Sequence, residues 1–179
     1  GPQGTGCLYI KDDIRLKPLM QGGTGSNSDY PYQPEFMPDL LESGTLNTPG
    51  IVGLGCGVDY ITRRGINRIR DYKHKLVMML YEGFDRIPGI TQYSVPEKSR
   101  NSGIVAINLE GMDSTELSYA LDRKYDICTR AGFHCSPGAH RVLGTEKRGV
   151  VRFSIGCLNT EAEIAGAIEA VERVARATR

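Results

Sequence analysis

The sequence predicts an α+β fold in which a mostly antiparallel sheet is covered by helices. From residue 90 onward the predicted elements follow the order strand, strand, helix, strand, strand, helix. Apolar and polar residues alternate over residues 150–155, which is typical of a strand with one buried face. Two helix starts are marked by an Asp or Thr followed three residues later by Glu, the pattern of a capping box. Together these patterns indicate two layers, one of strands and one of helices.

The first 65 residues predict one short strand and one helix. The strand covers residues 7–10, after a glycine-rich beginning. Residues 17–49 are rich in Gly, Pro, Ser and Asn, show no helical or strand period, and are expected to form a long functional loop. Thr48 as N-cap and Pro49 as first helical residue then predict a helix that ends at Gly65.

The remaining residues predict three helices and four strands. A helix of about five turns covers residues 66–84, because apolar residues recur there at helical spacing. The other two helices begin at Asp113, followed by Glu116, and at Thr160, followed by Glu163. The strands are expected at residues 90–95, 103–109, 125–130 and 150–155.

Composition excludes several classes of function. The chain has 179 residues, a formal net charge of +1 and 24% charged residues, so its charge does not favour nucleic acid as a partner. Its apolar stretches are too short to cross a bilayer, and no secretory signal pattern opens the chain. We therefore expect no membrane association and a cytoplasmic location. In that compartment the five cysteines are expected to be free thiols.

Cys135 is the candidate nucleophile. A thiolate is favoured by nearby positive charge and by the amides of a turn, and Arg130, His134 and His140 lie within a few residues of Cys135. The Pro137-Gly138 pair is expected to hold this loop open. The alternative is an inert thiol in a loop.

A metal site is a weaker alternative at the same place. His134, Cys135, His140 and Cys128 carry possible ligand atoms, but their spacing matches no familiar zinc ligand set, and we expect no metal.

Arg152 and two glycine-rich loops are further candidates. Arg152 lies on the polar side of a predicted strand, and a guanidinium group binds a carboxylate through two parallel hydrogen bonds. Residues 22–27 and 43–48 combine glycines with hydroxyl residues, which lets backbone amides and hydroxyls reach a phosphate. The alternatives are a solvated arginine and ordinary turns, because neither loop matches a nucleotide-binding fingerprint.

In order along the chain, these segments resemble the cysteine desulfurase and selenocysteine lyase family. That family has the class V aminotransferase fold and uses pyridoxal phosphate. The matching segments are GPQGTGCLYI at 1–10, QGGTGSNS at 21–28, ESGTLNTPG at 42–50, RAGFHCSPGAH at 130–140 and VVRFSIGCLNTEAEI at 150–164. They run in the family's order over nearly the whole chain, which makes the resemblance specific.

The resemblance implies a fold and a domain division. The chain is expected to be the C-terminal part of a fold-type-I pyridoxal phosphate enzyme. Residues 1–65 would be the tail of the large cofactor-binding domain, with its last strand, glycine-rich loops and connecting helix. Residues 66–179 would be the C-terminal small α+β domain.

The resemblance also implies roles for single residues. Cys135 corresponds to the catalytic cysteine, which takes sulfur from the substrate and becomes a persulfide. Arg152 corresponds to the arginine that binds the substrate α-carboxylate. Thr45 corresponds to the threonine that reaches the cofactor phosphate of the neighbouring subunit, and Gly23 and Thr24 belong to the glycine-rich stretch near that same edge.

The implied partners are L-cysteine or selenocysteine, a sulfur-acceptor protein and a second subunit in a homodimer. In the family, the lysine that binds the cofactor covalently lies a few residues before the segment that matches Gly1. The chain is therefore expected to need an N-terminal half, to lack a covalent bond to the cofactor and to be inactive alone.

Two other functions stay open at this point. The fold could serve a class V aminotransferase or a kynurenine hydrolase, reactions that need no cysteine nucleophile. The chain could instead be a non-catalytic module that carries a persulfide at Cys135 or mediates dimerisation.

Overall fold

The computed structural model describes residues 1–178, which form two compact units, residues 1–64 and residues 65–178. The elements in chain order are α1 (Thr48–Arg64), α2 (Ile66–Asp85), β1 (Ile90–Gln92), β2 (Ile104–Leu109), α3 (Ser114–Tyr125), α4 (Pro137–Leu143), β3 (Val151–Ser154) and α5 (Glu161–Ala177). The first unit contains α1 and the second contains the other elements. The assignment of the first unit to a larger cofactor-binding domain stays a prediction.

The second unit confirms the predicted α+β architecture. Its sheet has the order β1-β2-β3, and both pairs of strands are antiparallel. Helices α2 and α3 pack on the sheet, and α5 packs on these two helices. The core between these layers includes Leu76, Leu80, Phe84, Val105, Ile107, Leu121, Val151 and Val171, each at most 1% exposed. Full burial of such a side chain contributes about 1.5–3 kcal/mol, so this core accounts for most of the unit's cohesion.

Both predicted capping boxes are present. The Asp113 carboxylate accepts a hydrogen bond from the Thr115 amide, and Glu116 reaches back to the Asp113 amide at the start of α3. At α5, the Thr160 hydroxyl and the Glu163 carboxylate exchange the equivalent bonds. Hydrogen bonds from Thr115 hold the pKa of Asp113 below its usual range, and the hydrogen bond from the Thr160 amide does the same for the pKa of Glu163.

The strand predicted over residues 125–130 is wrong. Residue 125 is the last of α3, and Asp126 ends that helix in the left-handed conformation, with φ at 54°. Only Arg130 then pairs with the sheet, through a single bridge to Arg152. The β-propensity of this segment is overridden because residues 126–129 pair with no strand of the described sheet.

Four further expectations differ from the structure. Residues 7–10 form no strand, because no described segment pairs with them, and Leu8 and Tyr9 are exposed. Strand β1 is shorter than predicted and ends at Gln92. Just beyond this end, the Ala106 amide donates its hydrogen bond to the Ser94 hydroxyl rather than to a backbone carbonyl. The N-cap of α1 is Asn47, whose side-chain oxygen accepts the Gly50 amide at 3.1 Å.

The other difference concerns the loop after Cys135. Pro137 does not hold this loop open but begins α4, in which it occupies the first turn after Ser136. Proline suits that position because its missing N–H would have no helical partner there.

Unit 1 is mostly irregular and exposes much of its apolar surface. Only Gly50 of α1 is buried, and a Cβ atom there would lie 2.6 Å from the Thr5 methyl carbon. A Cβ at Gly53 would lie 2.6 Å from Pro2. The glycines of α1 therefore let residues 1–6 pack closely against the helix. Of the described helices, none is long and apolar enough to cross a bilayer.

Candidate active site

Cys135 lies in a tight turn of unusual conformation. The Ser136 amide donates to the Phe133 carbonyl at 2.9 Å, which closes a β-turn with His134 and Cys135 at its centre. Both central residues are left-handed, with φ values of 52° and 57°. Such turns usually carry Asn or Gly, and each other residue in this conformation costs about 1–3 kcal/mol. The strained turn leaves the Cys135 thiol exposed.

Backbone pairing holds the chain just before this turn. Arg130 and Arg152 exchange both of their backbone hydrogen bonds, at 3.2 and 2.8 Å. Gly132 and Val150 exchange theirs at 3.1 and 3.2 Å. A Cβ atom at Gly149 would lie only 2.6 Å from the Gly132 Cα atom, so the two segments touch backbone to backbone. This contact requires glycine at position 149.

Two arginines stand on the face of the sheet that carries Cys135. Val151 and Phe153 face the core, so Arg152 between them points away from the helices, as the sequence predicted. Because Arg130 and Arg152 form a directly opposed antiparallel pair, their side chains leave the same face. The Arg130 guanidinium donates to the Cys135 sulfur at 3.6 Å. The Nε atom of Arg152 is buried and has no partner among the described residues.

The contacts of the His134 ring show which of its nitrogens carries a proton. Its Nε2 atom lies 3.1 Å from the Val150 carbonyl, which only accepts, so Nε2 carries the proton. Its Nδ1 atom is buried without a partner among the described residues. Burial lowers the pKa of His134 below its ordinary 6.5, and the positive charges of Arg152 and Arg130 act in the same direction.

His140 is buried beneath this turn. Only 3% of the residue is exposed, and its Nδ1 atom lies 2.7 Å from the hydroxyl of Thr145, which is 1% exposed. Its ring meets the Phe133 ring edge-on, with centroids 5.2 Å apart, and stacks on the His134 ring at 6.1 Å. The imidazole therefore contacts the two residues that precede Cys135.

The other thiols lie in different surroundings. Cys7, Cys56 and Cys128 are exposed, and Cys157 is half-buried. The Cys128 sulfur lies 3.7 Å from the Asp122 carboxylate, whereas the Cys135 sulfur faces a guanidinium. These two exposed thiols therefore lie beside side chains of opposite charge.

The glycine-rich loops of unit 1 cross closely. The Gly44 amide donates to the Gly22 carbonyl at 3.1 Å, and a Cβ atom at Gly23 would lie 3.2 Å from the Gly44 Cα atom. All three glycines have positive φ, so the crossing depends on them. Thr45 follows directly and is exposed, whereas Thr24 is buried. A loop pair of this kind presents amides and a hydroxyl that suit a phosphate.

Gln33 holds these loops in place. It is 6% exposed, and its side-chain oxygen accepts the Gly22 amide at 3.1 Å. Its nitrogen donates to the carbonyls of Asp39 and Glu42, at 2.8 and 2.7 Å. One buried amide thereby connects three segments of the irregular region, and no pattern in the sequence pointed to it.

The predicted site residues fall into two groups. In unit 2, Arg130 connects Cys135 with the sheet face that carries Arg152. In unit 1, Thr45 lies beside the point where the two glycine-rich loops cross. Gly23 lies at this crossing, and Thr24 begins the turn that follows it. Their functional roles stay predictions.

Sequence reasoning missed Thr145 and Gly149, and it named His140 only as a neighbour of Cys135 or a possible metal ligand. His140 lies in α4, a helix that was not predicted, and Thr145 and Gly149 follow that helix. Pro137 at the start of α4 was the available signal. A short helix there would have predicted that His140 faces back toward Cys135.

Comparisons with known proteins agree on one family. The aminotransferase class-V model matches residues 1–166. A probable cysteine desulfurase of Methanothermobacter thermautotrophicus is 38% identical over 98% of this chain and 44% of its own length. A cysteine desulfurase of Salmonella agona is 30% identical over 98% of this chain and 43% of its own length. The chain thus spans less than half the length of these relatives.

Solved structures show the same fold. The apo cysteine desulfurase of Thermococcus onnurineus has a TM-score of 0.79 and 30% identity, over 89% of this chain and 39% of that one. A cysteine desulfurase of Escherichia coli has a TM-score of 0.77 over 90% of this chain and 39% of its own. At 23% identity, this second likeness concerns the fold alone.

Proposed function

Since the chain belongs to the aminotransferase class-V family, we propose that it is the C-terminal part of a cysteine desulfurase-like enzyme that depends on pyridoxal phosphate. The observation that carries this proposal is the exposed Cys135 thiol, in a strained turn and 3.6 Å from the Arg130 guanidinium. Likeness to cysteine desulfurases over nearly the whole chain supports the same reaction. The substrate would be L-cysteine, with selenocysteine as the alternative.

Cys135 would act as the sulfur acceptor. Its thiolate attacks the sulfur atom of the substrate, and an S–S bond forms while the carbon–sulfur bond breaks. The bonding pair stays on carbon, which takes a proton to yield alanine, and Cys135 is left as a persulfide. Arg130 favours this step because its positive charge stabilises the attacking thiolate. The persulfide would then pass to a sulfur-acceptor protein.

Arg152 would bind the substrate α-carboxylate. It leaves the same face of the sheet as Arg130, away from the core. Its buried Nε–H has no acceptor among the described residues, and a carboxylate would supply one in a charge-assisted bond. This unmet donor supports a role in substrate binding.

The glycine-rich loops of unit 1 fit a cofactor phosphate. Their close crossing exposes Thr45 beside glycines of positive φ, and an added Cβ at Gly23 would press on the opposite backbone. Thr45 and Gly23 would contact the phosphate, while buried Thr24 would shape the turn. Pyridoxal phosphate, when bound, withdraws electrons from the substrate carbons and makes the carbon–sulfur bond easier to break.

A second subunit and an upstream region would complete the site. The apolar side chains Ile51, Val58 and Ile61 of α1 are 45–55% exposed, and this favours a helix that packs on another surface in the complete protein. We expect that surface to come from a homodimer or from an N-terminal half carrying the lysine for the cofactor. Residues 1–179 alone should then be inactive.

The experiment compares the chain alone with the chain extended upstream. Each protein is mixed with L-cysteine, pyridoxal phosphate and a thiol reductant, and alanine and sulfide are measured. We expect turnover only with the upstream region present. Cys135→Ala should abolish turnover of the extended enzyme, whereas Cys128→Ala, which removes an exposed thiol beside Asp122, should not.

The outcomes separate the alternatives. Turnover by the 179 residues alone would contradict the need for an upstream region. Full desulfuration by the Cys135→Ala variant would exclude Cys135 as the acceptor. Transamination without desulfuration would favour a class V aminotransferase. Persulfide uptake at Cys135 with no turnover in any form would favour a carrier or dimerisation module.

A further inference from the structure

The turn that carries Cys135 needs support on both sides. His134 and Cys135 are both left-handed although neither is glycine, with φ values of 52° and 57°. Residues in such conformations persist only where their surroundings determine them. The paired backbones of Gly132 and Val150 provide this support before the turn. The support after the turn must come from α4.

His140 is the residue of α4 that reaches back to the turn. The His140 amide donates to the Ser136 carbonyl at 3.3 Å, which ties α4 to the end of the turn. The imidazole packs against the rings of Phe133 and His134, with centroid distances of 5.2 and 6.1 Å. Three of the four residues of the turn are thus in contact with His140.

Thr145 fixes the orientation of the His140 ring. Its hydroxyl lies 2.7 Å from the His140 Nδ1 atom, and its amide donates to the His140 carbonyl at 2.9 Å. The two residues are 1% and 3% exposed, so no solvent replaces this bond if it is lost.

We propose that His140, locked by its hydrogen bond to Thr145, is a positioning residue that holds the Phe133–Ser136 turn so that the Cys135 thiol faces Arg130. This role rests on the proposed function, in which Cys135 accepts sulfur. Neither residue touches the reacting atoms. They act by preventing the turn from relaxing to a right-handed or extended backbone, which would carry the thiol away from the guanidinium.

The test is the alkylation rate of each cysteine, resolved by mass spectrometry, in the 179-residue chain at neutral pH with iodoacetamide. Thr145→Val keeps the shape of the side chain and removes the hydroxyl, whereas Thr145→Ser keeps the hydroxyl. We expect Thr145→Val to slow Cys135 by about fivefold, because an exposed interaction with Arg130 is worth about that factor. Thr145→Ser should restore the rate. Cys56, an exposed thiol of α1, should react equally in all three proteins.

Backbone NMR provides the second measurement. Backbone scalar couplings, which report φ, should indicate a left-handed conformation at residues 134 and 135 in the wild type and in Thr145→Ser. In Thr145→Val these couplings should no longer indicate it. If Thr145→Val does not fold, His140→Gln replaces it, because a Gln amide can still bond to the Thr145 hydroxyl but lacks the ring that packs on Phe133. His140→Gln should slow Cys135 while Cys56 is unchanged.

The outcomes separate this role from the proposed function. Suppose that Cys135 reacts faster than Cys56 in the wild type, and that Cys135 keeps its wild-type rate in both Thr145→Val and His140→Gln. The positioning role is then overturned and the acceptor role stands. If Cys135 reacts no faster than Cys56 in the wild type, the acceptor role is overturned. The positioning role of His140 is then overturned with it, because Cys135 has no enhanced reactivity that the turn could maintain. Slowing by Thr145→Ser as large as that by Thr145→Val would also contradict the role of the hydroxyl.

Discussion

Gly149→Ala tests whether the backbone contact beneath the cysteine turn is essential. Gly149 has a φ of 61°, and its added Cβ atom would lie 2.6 Å from the Cα atom of Gly132 and 2.7 Å from its carbonyl carbon and oxygen. The contacting atoms are all backbone, so no side chain can rotate away. The segment before Cys135 must therefore move.

Two effects add up in this substitution. The left-handed conformation costs alanine about 1–2 kcal/mol. Carbon atoms normally stay about 3.5–4.0 Å apart, so the backbones must separate by nearly an ångström, and overpacking of this kind costs about 1–3 kcal/mol. We expect the second unit to lose about 2–5 kcal/mol of stability, with the Gly132–Val150 hydrogen bonds weakened first.

Gly144→Ala is the matched control. Gly144 ends α4 with a φ of 67°, but a Cβ atom there would meet nothing within 4 Å. It should lose only the conformational part, about 1–2 kcal/mol. Amide hydrogen exchange of the β2 and β3 pairs measures both losses within the same unit. Alkylation of Cys135 should slow in Gly149→Ala and stay unchanged in Gly144→Ala.

Equal destabilisation by the two substitutions would refute this reasoning, because the steric contact would then contribute nothing. An unchanged Cys135 alkylation rate in a destabilised Gly149→Ala protein would show that the turn does not depend on the contact.

Three other substitutions test single features. Gln33→Met should lower the local stability of unit 1 by about 2–4 kcal/mol, since the buried Gln33 side chain loses three hydrogen bonds, and it should speed hydrogen exchange of the Gly22 amide. Gln21→Met, at an exposed position, should change neither the stability nor the exchange rate. Thr160→Ala should cost about 1 kcal/mol in chemical denaturation by removing the α5 cap, and Thr160→Ser should restore it. Because the pKa of His134 is lowered in the folded protein, the unfolded chain protonates this histidine first as pH falls through 6.5. The free energy of unfolding should therefore decrease below that pH, and it should decrease less in His134→Gln.

Local patterns predicted much of the second unit. The alternation around Arg152 and the two capping boxes depend on neighbours within a few residues, so they could be read directly from the sequence. The strands at residues 7–10 and 125–130 were predicted wrongly for the same reason. A strand needs a partner elsewhere in the chain, and β-propensity alone does not specify one.

The sequence by itself determined the α+β class, the capped starts of α3 and α5 and the position of Cys135 in a turn. Only the tertiary structure decided what surrounds that thiol. Arg130 reaches the sulfur because its backbone pairs with Arg152, and the turn stays left-handed because residues up to sixteen positions away contact it. These contacts join segments distant in sequence, and their strength comes from burial and close packing, which no local pattern records.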